Sequence, residues 1–292
     1  MIVSCLPTAC FLSDVRVYDV SEDGFLVYTN HASVEQLVSS VIQSGQAEVS
    51  LDQEHLLEGS SAVLAIPVLR SERVISVAVL SAKRLQEDGQ EPAGVFEVWQ
   101  PTGEFQELSL TSGFFAHMDR FQNVSSFVRF EKGSGLPGQV WQQRQSVIHD
   151  DLPNHPGFLR AAGASADSLA TAIGIPVATK DSHCSTVLIS SQLSPMARGF
   201  ETWRVEADGF RLKQGVYGGF EQNLAIPAET FLEFDQGLVG AAREAATVIV
   251  SDDLSRLFPG RDQKLELPSP TIGLAIPFFE GDKLSCITTL LI

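Results

Sequence analysis

The sequence predicts an α+β fold of antiparallel sheets with few helices, laid out as three copies of one unit. Three observations lead there. Short apolar segments with an alternating pattern outnumber helical ones, hairpin-length polar turns join them, and one set of landmarks recurs in fixed order along the 292 residues. The landmarks are VRVYDV at 15–20, FEVWQP at 96–101 and FETWRV at 200–205, then HDDL at 149–152 and SDDL at 251–254, then AIPV at 65–68, GIPV at 174–177 and AIPF at 275–278. From Phe96 to Phe200 the step is 104 positions, and from Asp150 to Asp252 it is 102. Units are therefore expected at 1–90, 95–192 and 199–292, each a sheet of about five or six strands with one or two short helices.

The first unit is the shortest. Where its neighbours have a glycine-rich segment it has SVEQLVSSVIQSG (33–45), with Val34, Leu37, Val38, Val41 and Ile42 at helical spacing. Ser33 and Gln36 form a capping box, and Gly45 suits the position just past the helix. The polar stretch KRLQEDGQEPAG (83–94) makes a linker. In the second unit, strands near Phe96, Leu108 and Phe127 lead to FEKGSGLPGQVWQQRQSVIHDDL (130–152), read as a turn, a short helix and a strand. A loop or broken helix over 152–168 and the hairpin ATAIGIPV/STVLISS follow. The third unit ends on its last strand, and no kinase, DNA-binding or catalytic output module is expected beyond it.

Apolar residues make up 44% and charged residues 19%, as expected of a folded chain. A formal net charge of −16 without any Lys/Arg cluster argues against nucleic acid and membrane surfaces as partners. Cys5, Cys10, Cys184 and Cys286 are too few and too scattered for a disulfide framework or a zinc site with two CxxC pairs. The apolar start lacks a basic n-region and contains Pro7, so a first strand is expected there rather than a signal peptide. A cytoplasmic location is expected.

The run FxxGxGLPGxVW, a strand and DDL, then FLRAA and the GIPV hairpin, resembles a GAF domain, an α+β sensory module. The second unit matches along nearly its whole length. The third is similar but degraded: FDQGLVGAAREAATVIVSDDL (234–254) keeps two glycines and the aspartates, with Val239 in place of Pro137. The first unit is assigned through its neighbours. The resemblance implies a central sheet of about six strands and a pocket between that sheet and the segment after DDL. GAF relatives bind cyclic nucleotides, linear tetrapyrroles, haem or small metabolites, or dimerise. The Asn-Lys and Asp-Glu residues of cyclic-GMP-binding relatives are not found, and no cysteine stands where a tetrapyrrole would attach, so the cofactor is unknown. The connectors at 83–94 and 193–199 are too short for the usual flanking helices, which leaves one sheet face per unit bare unless units, or two chains, pack face to face.

Each chemical motif has a plainer reading beside it. Gly133, Gly135 and Gly138 spell GxGxxG, but the segment is too short for a βαβ unit, which favours a structural turn. Asp150 and Asp151 could hold a metal with His149 and His155, or one of them could cap the following turn. Cys184 and Cys286 match Ser76 in position and suit packing, since a nucleophile would want a base and His183 faces the other side of the strand. Arg160 in FLRAA could fork onto a carboxylate or phosphate in a ligand, or could pair with a carboxylate of the chain itself. Arg261 is its match in the third unit. The ligand-binding set expected is Trp141, Asp150, Asp151, Phe158, Arg160 and Arg261, with no catalytic residue and no metal. The expected function is a non-enzymatic sensory or regulatory module that binds a small organic ligand and acts through a protein partner or homo-oligomer. The alternative is an interaction scaffold whose pockets are filled by side chains.

Overall fold

The computed structural model describes residues 2–3, 10–27, 32–84, 93–103, 107–179, 182–218, 225–257 and 272–292, which form three antiparallel sheets in succession along the chain. The first sheet holds β1 (Ile2–Val3), β2 (Leu12–Asp19), β3 (Glu48–Ser50), β4 (Ser60–Arg70) and β5 (Arg73–Lys83), in the order β1-β2-β5-β4-β3. The second holds β6 (Gly94–Thr102), β7 (Glu107–Phe114), β8 (Val147–His149), β9 (Leu169–Ala178) and β10 (His183–Ser191), ordered β7-β6-β10-β9-β8. The third holds β11 (Gly199–Val205), β12 (Gly209–Tyr217), β13 (Phe231–Glu233), β14 (Ile249–Ser251), β15 (Gly273–Glu280) and β16 (Lys283–Leu291), ordered β13-β12-β11-β16-β15-β14. In every sheet the final long strand lies between the opening strand and its own hairpin partner, with a three-residue strand at that edge. Registers repeat as well. Trp99 faces Ser185 as Trp203 faces Ile287, and the Leu108–Phe130 bridge recurs as the Phe210–Leu232 pair.

The AIPV, GIPV and AIPF landmarks put a proline inside a long strand, where it forfeits a ladder hydrogen bond. The register shows why this is tolerated. The edge strands β3, β8 and β14 start opposite Ala65, Gly174 and Ala275, so Pro67, Pro176 and Pro277 lie just past their reach. There the missing N–H has no neighbouring strand to serve.

The helices are α1 (Ala32–Ser44), α2 (Asp119–Phe127), α3 (Gly135–Gln143), α4 (Ala161–Ala166), α5 (Gly237–Ala245) and α6 (Leu254–Leu257). Helix α1 buries Val34, Leu37, Val38 and Val41 on one face and stops at Gly45, at φ +64. It begins at Ala32, ahead of the expected cap, so Ser33 is a helical residue rather than the cap of a capping box. The strand expected near Phe127 is instead the end of α2, and only Phe130 bridges to the sheet. The local signal was helical: Phe121 and Ser125, one turn apart, are the buried pair, while Val124 and Phe127 stand exposed. Helices α3 and α5 match in length and ends. Both open on a glycine at positive φ, Gly135 (+59) and Gly237 (+68), and stop at a left-handed residue, Arg144 or Ala246. A Cβ at Gly138 would stand 2.1 Å from the Glu131 carbonyl oxygen, and the third sheet keeps this glycine as Gly240. The GxGxxG run is thus the tight entry to a nine-residue helix. That helix leads into β8, which pairs antiparallel with β9, so the run opens no parallel crossover.

One apolar core draws on all three sheets, joining Phe11, Ile66 and Leu80 to Phe96, Ile175 and Leu188 and to Phe200, Ile276 and Leu290. The sheet faces that the short connectors leave without flanking helices are buried there within one chain. The equivalent strands β4, β9 and β15 touch one another, and the contacts run head to tail. The amide of Ala47, just before β3, is directed at the Cys184 thiol. That of Ser146, before β8, is directed at Cys286, and that of Val248, before β14, at the Ser76 hydroxyl 3.3 Å away. Farther along, the Val49 amide donates to Ser112 (3.0 Å), while the Ile148 amide donates to Gln214 (3.0 Å), whose Nε2 donates back to the Ile148 carbonyl. First binds second, second binds third, and third binds first: a heterologous contact that closes after three steps.

Phe11 is fully buried and its ring lies 5.3 Å from Phe96 and 6.1 Å from Phe114, across the junction of the first and second sheets. Phe11→Ala should cost about 3–5 kcal/mol. Because the core is continuous, calorimetry of both proteins should show a single unfolding transition. A separate transition for the first sheet would contradict the shared core.

Candidate functional site

The second sheet has one face on the shared core and one under its helices, and β6 alternates between them. Phe96 and Val98 join the shared core, whereas Val95, Glu97 and Trp99 point toward α2 and α3. Glu97 is fully buried, with its Oε2 accepting the Trp99 Nε1–H at 2.9 Å. Arg160 comes from the segment between β8 and β9 and reaches this carboxylate with both terminal nitrogens. Nη2 donates to Oε2 at 2.9 Å and Nη1 donates to Oε1, while Nη1 also donates to Ser125 Oγ at 2.6 Å. Four rings enclose the guanidinium, with centroids at 4.7 Å (Phe121), 5.3 Å (Trp99), 5.3 Å (Phe158) and 5.9 Å (Phe130) from Cζ. The side chains of Arg160 and Glu97 are 1% and 0% exposed. The space beneath residues 158–168 is therefore filled from within, and the carboxylate that Arg160 forks onto belongs to the chain itself.

The other expected site residues are dispersed. Phe158 joins Arg160, its ring stacked on Phe121 at 6.4 Å. Trp141 lies apart, half-buried against His183 at 5.8 Å with the Lys132 ammonium over its face. Asp150 accepts from Thr171 (2.8 Å), and Asp151, at φ +48, accepts from the Asn154 side chain (3.0 Å) and heads a turn. Arg261 falls outside the described residues. The residues that sequence reasoning passed over are Glu97, Phe121 and Ser125. A signal for Glu97 existed: FEVW and FETW each place a carboxylate at an inward strand position two residues before a tryptophan. The third sheet repeats the bond, Trp203 Nε1 donating to Glu201 Oε2 at 3.1 Å. In the first sheet Arg16 and Tyr18 stand at these places, and Arg16 pairs with Asp14 at 2.6 Å.

Two histidines stack at 3.8 Å, His149 beneath His155. His149 Nε2 meets Gln139 Oε1 at 3.1 Å, and Nδ1 is buried without a partner. Burial, and then the neighbouring His155, pull the His149 pKa down to about 4. No group of three potential metal ligands occurs among the described residues. His183 Nε2 lies 2.8 Å from Ser185 Oγ, but that hydroxyl donates to the Pro137 carbonyl (2.9 Å), so the imidazole donates to it rather than taking its proton. Burial drives the His183 pKa down to about 3 and lifts the thiols of Cys184 and Cys286 to about 12 and 11, which keeps both protonated.

The third sheet has a cleft of about 520 Å³ between β13 and α5, lined by Pro227, Phe231, Asp235, Ala241, Glu244 and Arg256 among others. At the aligned positions of the second sheet, Gln139 stands for Ala241 and His149 for Ser251, and these two side chains bond to each other.

No family model matches the chain, and no curated protein matches it. Among solved structures, a nitrate-site mutant of NreA from Staphylococcus aureus overlaps 36% of this chain and 78% of its own, at 13% identity and TM-score 0.29. The GAF domain of a phosphoenolpyruvate-protein phosphotransferase from Coxiella burnetii overlaps 35% and 58%, at 18% identity and TM-score 0.28. Free methionine-R-sulfoxide reductase from Neisseria meningitidis, solved with its substrate, overlaps 32% and 49%, at 20% identity and TM-score 0.24. A GAF domain is thus among the weak structural neighbours, and overlaps at this level set neither family nor activity. No helix among the described residues is long and apolar enough to cross a membrane.

Arg160→Ala strands a buried carboxylate and should cost about 3–5 kcal/mol, whereas Arg160→Met with Glu97→Leu should recover most of that loss. Urea denaturation of Arg160→Ala and of the double variant checks this. The lowered histidine pKa values set a second expectation. Above pH 6.5 both histidines are neutral in folded and unfolded chains and cost nothing. As pH falls from 6.5 toward 4, the unfolded chain takes up protons that folded His149 and His183 refuse, and stability drops. Denaturation midpoints should therefore be lower at pH 5 than at pH 7, and His149→Gln with His183→Gln should flatten the difference.

Proposed function

We propose that the chain is a non-enzymatic regulatory module of three tandem GAF-like units, at 1–90, 95–192 and 199–292, that acts by presenting a rigid body to a partner protein or to a second copy. The observation that carries this reading is the filled interior of the middle unit, where Arg160 and Glu97 occupy the place a GAF-type ligand would take. Its non-enzymatic character is supported by Ser185, whose proton is committed to a backbone carbonyl, and by two thiols held protonated through burial. The closed ring of unit contacts supports a body that moves as one, suited to interaction more than to relay between separate domains.

A second reading, binding of a small organic ligand, is favoured by the cleft beside α5, whose lining of apolar residues with Asp235, Glu244 and Arg256 suits a small amphipathic molecule. One experiment separates the two. Natively purified protein is analysed for bound small molecules, then melted against a metabolite panel. The scaffold reading expects no co-purified molecule and no stabilisation. The ligand reading expects a rise in melting temperature that Ala241→Phe, which projects a ring into the cleft, reduces.

A further inference from the structure

We propose that helix α2 docks against α2 of a second copy of this chain, antiparallel, with a twofold axis passing between Asn123 and Val124. The inference rests on the interaction reading above and names the partner and the surface. Its starting point is the solvent side of α2. Phe121 and Ser125 turn inward, whereas Arg120, Asn123, Val124 and Phe127 are all exposed and recur at i, i+3, i+4 and i+7, the spacing that sets side chains in one stripe along a helix. Phe127 is 84% exposed and Val124 41%, which gives the stripe an apolar half. Leu159 widens it. Phe158 stacks on Phe121 and Arg160 bonds to Ser125, so Leu159 between them stands beside α2, and it is 59% exposed. Three large apolar side chains thus share one surface, as interaction sites do.

What covers the stripe follows from its symmetry. Arg120 and Phe127 lie equally far from the point between Asn123 and Val124, one on either side. Turned end over end, the stripe meets itself with each Arg120 against the Phe127 ring of the other copy, a cation–π contact made twice by one surface. Asn123 and Val124 meet at the axis. At each end, Asp119 of one copy comes beside Arg129 of the other, so opposite charges close the contact. Asp119, Arg120 and Arg129 are exposed, and none of them forms an ion pair among the described residues; Asp167 feels the Arg120 charge without pairing to it. A uniformly acidic partner would meet Asp119 and Glu131 as like charges, whereas the second copy carries both signs in matched places. A nine-residue helix with one flanking leucine offers less than the roughly 800 Å² per partner of a standard interface, so the dimer is weak and reversible.

The test is sedimentation equilibrium of the full chain over about 5–500 μM, the range that suits an interface of this size. Salt is held at about 0.15 M, where a Debye length of about 8 Å screens the net charge of −16. The expected result is a monomer–dimer equilibrium with no larger species. Phe127→Glu should weaken it at least about tenfold and Arg120→Ala about threefold or more. Both positions are exposed, so melting temperatures should stay at the wild-type value. Oxidation reads the placement. Asn123→Cys, at the axis, should crosslink into dimers beyond the wild-type level, whereas Gln122→Cys, on another side of the helix, should not. Monomers throughout the range, association undiminished by Phe127→Glu, or equal crosslinking at the two positions would each overturn the proposal. A monomeric chain removes the dimer alone, because the scaffold reading then stands with a foreign partner. A co-purified small molecule that stabilises the chain overturns the scaffold reading instead.

Discussion

A sheet has two faces, and a chain with helices enough for only one of them must cover the other with itself. That constraint governs this protein. Helices α1, α3 and α5 each lie on one face of one sheet, and no second helical layer is present among the described residues. The remaining faces meet in a single core, which is why the central strands β4, β9, β10 and β15 are buried along nearly their whole length instead of on alternate residues. The head-to-tail contact that results is repeated by construction, because each sheet carries the same wiring. Three repeats bring it back to its start, and the sheets close on one another instead of propagating.

Within that frame the middle sheet resolves an electrostatic problem. A carboxylate on an inward strand position would be ruinous alone in an apolar interior. An indole N–H and two guanidinium nitrogens satisfy the oxygens of Glu97, and four rings around the guanidinium offset the desolvation of the arginine. Such a pair is weak evidence for added stability and stronger evidence for a defined geometry, because few arrangements satisfy both ions at once. The same carboxylate–indole pairing in the third sheet shows that the inward glutamate belongs to the repeating plan. The first sheet reaches a related end with Arg16 and Asp14 on one strand.

Cys184, Cys286, His149 and His183 are buried in contacts of the fold. Cys184, Cys286 and Ser76 occupy one position of the plan, each facing the amide that precedes the next edge strand. A side chain able to accept a weak hydrogen bond is what that place requires, so thiol and hydroxyl interchange. His149 lies between Gln139, which it meets through Nε2, and the ring of His155.

Much of this was written locally. Period-two strands, polar hairpin turns and the glycine-shaped entry to α3 depend on neighbours in sequence, and so the antiparallel α+β class could be read from the residues alone. The strand expected near Phe127 is helix because Phe121, Val124, Phe127 and Val128 follow helical spacing; which of them is buried is decided by tertiary contact with Arg160 and Phe158. Whether Arg160 would meet a ligand or its own chain also lay beyond the sequence, because Glu97 stands 63 positions away. Sequence fixes a residue's chemistry and its local geometry. Which distant partner desolvates it, and which sheet face meets which, follows only once the chain has closed on itself.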